Sequence, residues 1–380
     1  MIRLHLLTPG YRSANSQALL HPLLAHRRVL AEAGLAVEVF TRPGDQFADA
    51  DVAAIDSKVF ARAWDGEARS HSLTLLERWR RRAGGLVWID TGDSTALMQP
   101  WVLPLVGRYL KSQLLRDRAA YARPHYGQRL YTDDAHRRAG VVDAVPASSQ
   151  PVGEPALLAR LGLFWNSGLA DHSLLAPWRA RAYRALRIGG LLAYPRRFAD
   201  ARAPRDVAIN ARMKAEYARA TVSHMRRAVL AACPDAASGR LSRRAYLAEL
   251  ARSRLVLSPF GWGEINLRDY ESFIAGAALL KPDMSHLETW PDLFRDGETV
   301  LSHRWDLADL AAVIEGALAD RQRTADIAAR GQTVYRDAIA GRAAAAAFAQ
   351  HAIAVFTPTA PAPVAAGPAV RAASAATAPC

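Results

Sequence analysis

Apolar residues along the first hundred positions alternate between two periods. Ile2–Leu7 is a short, nearly continuous apolar run closed by Thr8-Pro9-Gly10, and it reads as a first buried strand. A helical pattern follows over about 17–33 and stops at Gly34. Leu35–Phe40 and 52–60 again read as strands and 73–82 as a helix. Gly84-Gly85 then releases the chain into a strand over 86–89. Strand and helix patterns alternating in units of this size predict a parallel sheet with crossover helices.

The middle of the chain is less periodic. Residues 103–122 read as an arginine-rich helix, 131–140 as a polar segment, 146–155 as a loop and 174–186 as a helix. Gly and Pro break the pattern over 189–204. A second alternating block begins beyond it. It has strands over 206–210, 254–258, 277–280 and 299–303, a glycine-containing turn over 260–263, and helices over 214–232, 241–253 and 265–276. Further helices start near Asp306 and Ala325. The alanine-rich stretch 343–356 contains Gln350 and His351 and reads as a soluble helix. Ala, Pro, Gly and Ser dominate from Thr357 onward. The expected organisation is two Rossmann-like domains, 1–190 and 205–356, facing across a cleft, with a disordered tail over 357–380. Ligands of such sheets bind beyond the carboxyl ends of the strands, so the residues that follow each strand are the ones to examine.

Composition agrees with two globular domains. At roughly 150 residues per domain, 380 residues suffice for two, and 51% hydrophobic with 22% charged residues excludes a mostly disordered chain. The formal net charge is +13, from 49 Lys plus Arg against 36 Asp plus Glu. Only Lys58, Lys111, Lys214 and Lys281 are lysines, and the arginines are spread along the chain. The run Arg78-Trp79-Arg80-Arg81-Arg82 reads as a solvated helix end, so a nucleic-acid partner is not expected. A basic chain still suits an anionic substrate such as a phosphate. Two cysteines, Cys233 and Cys380, cannot build a disulfide framework. The N-terminal apolar run is short for a secretory signal, and no stretch has the roughly 18 apolar residues of a spanning helix. The expected location is the cytoplasm.

The richest chemistry lies in Ser258-Pro259-Phe260-Gly261-Trp262-Gly263-Glu264, followed by Arg268-Asp269-Tyr270-Glu271. The stretch follows a strand and opens a helix, whose free N–H groups and positive dipole end suit a phosphate. Gly261 and Gly263 allow close approach of backbone to ligand. Trp262 can stack on a base or sugar ring. Glu264 and Glu271 can accept hydrogen bonds from sugar hydroxyls, and Arg268 between them can pair a carboxylate or a phosphate.

With Gly276-Ala277, Lys281-Pro-Asp-Met-Ser-His-Leu-Glu-Thr-Trp-Pro291 and Trp305-Asp306-Leu307-Ala308-Asp309-Leu310, this stretch resembles bacterial glycosyltransferases with an exostosin-like, family-one-type C-terminal domain. The resemblance covers roughly 206–310. Weaker matches are Asp90-Thr91-Gly92-Asp93-Ser94 and Trp165-Asn166-Ser167-Gly168-Leu169. It implies the GT-B fold, two Rossmann-like domains with a nucleotide-sugar donor held by the C-terminal one. The usual signature has two glutamates eight positions apart. If Glu271 is the second, which usually holds the donor ribose, the first falls on Gly263, and this chain has Glu264 instead. That shift leaves retaining or inverting stereochemistry open.

Other candidates follow from position. Arg212 and Lys281 are expected near a leaving diphosphate, with Ser285 and His286 in the loop after Lys281. Asp90 and Asp93, after the strand over 86–89, are candidate bases beside Glu264. Gly10, Tyr11 and Arg12 are expected on the acceptor side. Asp49-Ala50-Asp51 matches a metal-binding Asp-x-Asp but precedes a strand, at the wrong end for a ligand, so no metal is expected. The expected activity is metal-independent transfer of a sugar from a nucleotide-sugar co-substrate to a glycan or glycolipid acceptor in surface polysaccharide synthesis. The arginine-rich stretch 103–123 is a candidate peripheral contact with the inner membrane face. The alternatives are a nucleotide-sugar epimerase of the same fold and a non-catalytic sugar- or nucleic-acid-binding protein.

Overall fold

The computed structural model describes residues 1–61 and 66–357. Among these described residues the first half contributes seven strands. They are β1 (Ile2–Leu7), β2 (Leu35–Phe40), β3 (Val52–Asp56), β4 (Leu86–Asp90), β5 (Arg108–Lys111), β6 (Gln113–Leu115) and β7 (Leu161–Leu163). Six of them pair in parallel in the order β2-β1-β3-β4-β5-β7. All five residues of β3 and of β4 are buried, as central strands covered on both faces require. Helices α1 (Ala14–Ala25), α2 (Arg27–Glu32), α3 (Gly66–Arg82), α4 (Leu130–Ala139) and α5 (Ala176–Leu186) belong to this half and to the connector that follows it.

The second half repeats the plan on a smaller scale. Strands β8 (Val207–Asn210), β9 (Ser253–Leu257), β10 (Ala278–Pro282), β11 (Leu287–Thr289) and β12 (Leu301–His303) alternate with α6 (Ala220–Ala232), α7 (Arg243–Leu250) and α8 (Leu267–Ala275). Then come α9 (Leu310–Ala319), α10 (Arg321–Ile339) and α11 (Gly341–Phe356). Four strands pair in parallel in the order β12-β10-β9-β8. The architecture is therefore GT-B, two Rossmann-like units facing across a cleft. A two-stranded antiparallel ribbon ties them, with Leu115 of β6 opposite Leu287 of β11.

Three sequence expectations change. Residues 103–122 are not a helix. Pro104 and Gly107 interrupt the pattern, and a 3-10 turn, β5, β6 and a second 3-10 turn replace it. Two basic side chains of this stretch have internal partners: Lys111 is buried against Asp90, and the half-buried Arg108 donates to the carbonyls of Ala354 and Val355. The polar segment 131–140 is α4, stopped by Gly140 in the left-handed conformation at φ 62°. Finally, α11 does not stay with the second unit. It bends 68° from α10 and packs Phe348 on Trp165, 5.0 Å between ring centres. Among the described residues no single helix is long and apolar enough to cross a membrane. The tail expected to be disordered lies outside the described residues beyond Thr357.

Candidate active site

The two units enclose a cleft of about 690 Å³. The first unit lines it with Tyr11 and Arg12 after β1, Asn15 and His21 of α1, Thr91, Gly92 and Asp93 after β4, and Trp165 and Asn166 after β7. The second supplies Tyr217, Arg243, Trp262, Gly263, Asn266 and Glu271. The loops after β1, β4, β7 and β9 are at carboxyl ends of parallel strands, where the fold places ligands. Both weaker motif matches, at Asp90–Ser94 and Trp165–Leu169, contribute lining residues.

Glu271 is on α8, a helix entered through Asn266 and closed by Gly276 at φ 61°. Its carboxylate is 6% exposed and accepts a hydrogen bond from Arg243 Nη1 at 2.9 Å. Burial raises its pKa above the usual 4.5, against the lowering effect of Arg243, Tyr246 and Arg268. Arg243 also donates to the carbonyls of His172 and Ser173, and its Nε is buried without a partner. The sequence reading did not single out Arg243. Ser242 marks the start of α7, but no local pattern links Arg243 to a carboxylate 28 positions later.

The turn after β9 presents Trp262 to the cleft, 37% exposed. The Arg129 guanidinium lies over its ring at 5.0 Å, and Tyr217 meets it edge-on at 5.6 Å. Gly263 lines the cleft beside it. Gly261 does not line the cleft and packs against Arg226; a Cβ there would fall 3.0 Å from the guanidinium carbon.

Several expected donor residues are committed elsewhere. Glu264 is wholly buried and fastened to the first unit: Thr95 Oγ1, Thr95 N–H and Gln113 Nε2 all donate to its carboxylate. It does not line the cleft. Lys281 is equally buried, 2.8 Å from Asp269, and donates to the carbonyl of Glu264; burial lowers its pKa. Arg268 donates to the carbonyls of Leu257 and Arg212. Arg212 forms a two-point pair with Glu249 at 2.7 and 2.8 Å. Ser285 donates to Asp283, and His286 lies edge-on to Trp305 at 4.9 Å. None of these six lines the cleft, because each satisfies an internal partner or packs under the loop.

On the facing side, Asp93 is exposed in the cleft and accepts from Asn15 Nδ2 at 2.9 Å. Asp90 turns into the core. It accepts from Lys111 at 2.6 Å, Tyr109 at 2.9 Å and the Gly92 N–H at 2.9 Å, and its carboxylate has no path to a substrate. Tyr11 is buried against Tyr183 and pairs with His21, whose pKa burial pushes down to about 4. Gly10 allows the turn with φ 70° but does not line the cleft. Arg12, Arg181 and Arg184 line the cleft without a carboxylate partner among the described residues, whereas Arg179 pairs with Asp171 and Arg243 with Glu271. Against the exposed carboxylate of Asp93, these three arginines leave the unpaired lining charge positive on balance.

No group of three or more His, Cys, Asp or Glu among the described residues is arranged to hold a metal ion. Asp49 pairs with Arg82, and Asp51 accepts from the Arg3 N–H, so the Asp-x-Asp is spent on surface contacts. Arg78 and Arg82 pair with Asp45 and Asp49, which leaves the arginine run a solvated helix end.

No curated protein matches the chain. Solved structures similar to it include Anabaena HepE in complex with UDP-glucose (13% identity, 93% of this chain and 99% of that one, TM-score 0.42). A Rickettsia africae glycosyltransferase is also similar (7%, 93% and 97%, TM-score 0.44), as is the T4 phage β-glucosyltransferase (10%, 94% and 100%, TM-score 0.41). Residues 172–353, which contain α5, the whole second sheet and Glu271, match the family model described as glycosyl transferase-like, so this part of the chain is similar to that family.

Proposed function

We propose that the protein transfers a sugar from a nucleotide-sugar donor to an acceptor hydroxyl. The observation that carries this reading is the pairing, in one cleft, of a buried carboxylate from the second unit (Glu271) with an exposed carboxylate from the first (Asp93). Glu271 accepts the ribose hydroxyls, held in place by Arg243. Trp262 offers a ring face to the base or sugar. Asn266 and Leu267 bring the N-terminus of α8 to the cleft, where its N–H groups and the unpaired lining arginines stabilise the diphosphate as it leaves. These cations do the work that a divalent metal does in other sites.

Asp93 takes the proton of the acceptor hydroxyl as its oxygen bonds to the anomeric carbon. The bond from that carbon to the diphosphate breaks, and the leaving group takes the electron pair. Of the three carboxylates expected to be catalytic, only Asp93 reaches the cleft, which favours direct displacement with inversion. The acceptor is a glycan or glycolipid, and a bacterial cytoplasmic enzyme of surface polysaccharide synthesis fits the resemblance of 206–310.

The test is acceptor-dependent release of nucleoside diphosphate from a panel of nucleotide sugars, with a lipid and glycan extract supplying acceptors. The reading expects release that the extract stimulates and that Asp93→Asn abolishes. Release that needs no acceptor, or that Asp93→Asn leaves intact, would contradict it.

A further inference from the structure

The wall of the cleft formed by α5 has a second side. Around this helix Leu174, Leu175, Trp178, Leu186 and Ile188 are each 46 to 60% exposed. Five large apolar side chains left in water along one fifteen-residue segment mark a contact surface. The charge of the same stretch is one-sided. Between Asp171 and Asp200 the sequence has six arginines and no acidic residue. Arg181 and Arg184, on the boundary between the outer face and the cleft, have no carboxylate partner among the described residues.

Exposed tryptophan and aliphatic side chains on an arginine-rich, acid-free stretch match the lipid–water interface of an anionic bilayer. The apolar groups enter the acyl boundary, and the exposed Arg187, Arg196 and Arg197, which do not line the cleft, supply guanidinium groups for its phosphate oxygens. The same features disfavour other occupants. A second copy docked through this face would bring two acid-free arginine clusters together. Leucine and isoleucine do not stack on bases as a single-stranded nucleic acid requires.

We infer that residues 174–188 dock on an anionic lipid bilayer, so that the acceptor side of the cleft opens at the membrane and receives an acceptor carried on a lipid. The membrane contact stands on the surface itself; the identity of the acceptor rests on the transferase reading. The proposal places the membrane contact at a different stretch from the sequence expectation of 103–123, where Lys111 is buried against Asp90 and Arg108 donates to the carbonyls of Ala354 and Val355.

Flotation of the full chain with vesicles tests the inference. Wild type is expected to float with phosphatidylcholine vesicles containing about 30 mol % phosphatidylglycerol, to lose binding in high salt, and to stay unbound with phosphatidylcholine alone. Trp178→Ser/Ile188→Ser, at two positions that do not line the cleft, should bind at least about tenfold more weakly while keeping the wild-type melting temperature and nucleotide-induced stabilisation. Absence of wild-type flotation on the anionic vesicles would overturn the inference. So would equal flotation of the double variant, or a wild-type dimer in sedimentation velocity that the variant dissociates. The vesicles contain no sugar acceptor, so failure here leaves donor binding intact. Flotation without any nucleotide-induced stabilisation would instead remove the transferase reading alone.

Discussion

The backbone of Gly263 lies directly against that of Asp93, so closely that a Cβ on Gly263 would collide with the Asp93 carbonyl oxygen and fall 2.6 Å from its carbonyl carbon. This contact places the donor-side turn against the loop that carries the candidate base. It also explains the displaced signature, because the position where the usual pattern has its first glutamate has no room for a side chain. The carboxylate one residue later, Glu264, is instead buried and ties the two units together through Thr95 and Gln113.

Gly263→Ala is therefore expected to be costly. The obstructing atoms are backbone, and the loop has to move as a unit. Overpacking of this kind typically costs about 1–3 kcal/mol, measurable by urea denaturation. Because the units must separate slightly, nucleotide-induced stabilisation should fall as well. A variant as stable as wild type would show that the contact does not form.

Lys281 and Asp269 form an ion pair wholly out of water. Removing the cation strands a buried carboxylate, which typically costs about 3–5 kcal/mol. Lys281→Met should lower the urea midpoint accordingly. If Lys281 instead bound the leaving diphosphate, the substitution would spare stability and weaken nucleotide binding.

Glu271 sets a pH dependence. Its folded pKa is raised above 4.5, so the folded state holds a proton that the unfolded chain releases. The stability it contributes is present at and below pH 4.5 and is lost as pH rises through the folded value. Donor binding has the opposite slope, because the ionised carboxylate is the better acceptor for ribose hydroxyls. Titration calorimetry at pH values from about 4.5 to about 7.5 should show the donor Kd falling as pH rises. That slope should flatten in Glu271→Gln; an unchanged slope in the variant would assign it to another group.

Asp93→Asn and Asp90→Asn should separate two kinds of defect. The first is expected to keep donor binding and stability and to lose about 10²- to 10⁴-fold in turnover. The second weakens the buried pair with Lys111 and should lower the melting temperature. The reverse assignment of defects would exchange their roles.

How far this site is legible in the sequence depends on the element. The stretch 258–271 carries its own signals: an apolar strand, a glycine turn, and a helix ended by Gly276. Those signals bring Trp262 and Glu271 to the cleft without tertiary information. Cations were harder, because sequence position fixes which sheet end a residue follows but not what it pairs with. Arg212 meets Glu249, 37 positions on, and Lys281 meets Asp269 on the neighbouring helix. The stretch 103–122 misled for a related reason. Arg108-Tyr109-Leu110-Lys111 reads as part of an arginine-rich helix, yet it forms a four-residue strand whose lysine is buried beside Asp90. Arg243 and the exposed apolar face of α5 have no local signature at all, since only the fold decides what covers them.

The most direct measurement is calorimetric titration of wild type, Glu271→Ala and Arg212→Ala with the nucleotide sugar that most raises the melting temperature. The account expects Glu271→Ala to bind about 10- to 100-fold more weakly, or about 1.4–2.8 kcal/mol. Arg212→Ala, whose guanidinium is held by Glu249 outside the cleft, should bind as wild type does. Undiminished binding by Glu271→Ala, or loss confined to Arg212→Ala, would contradict the placement of the donor in this cleft.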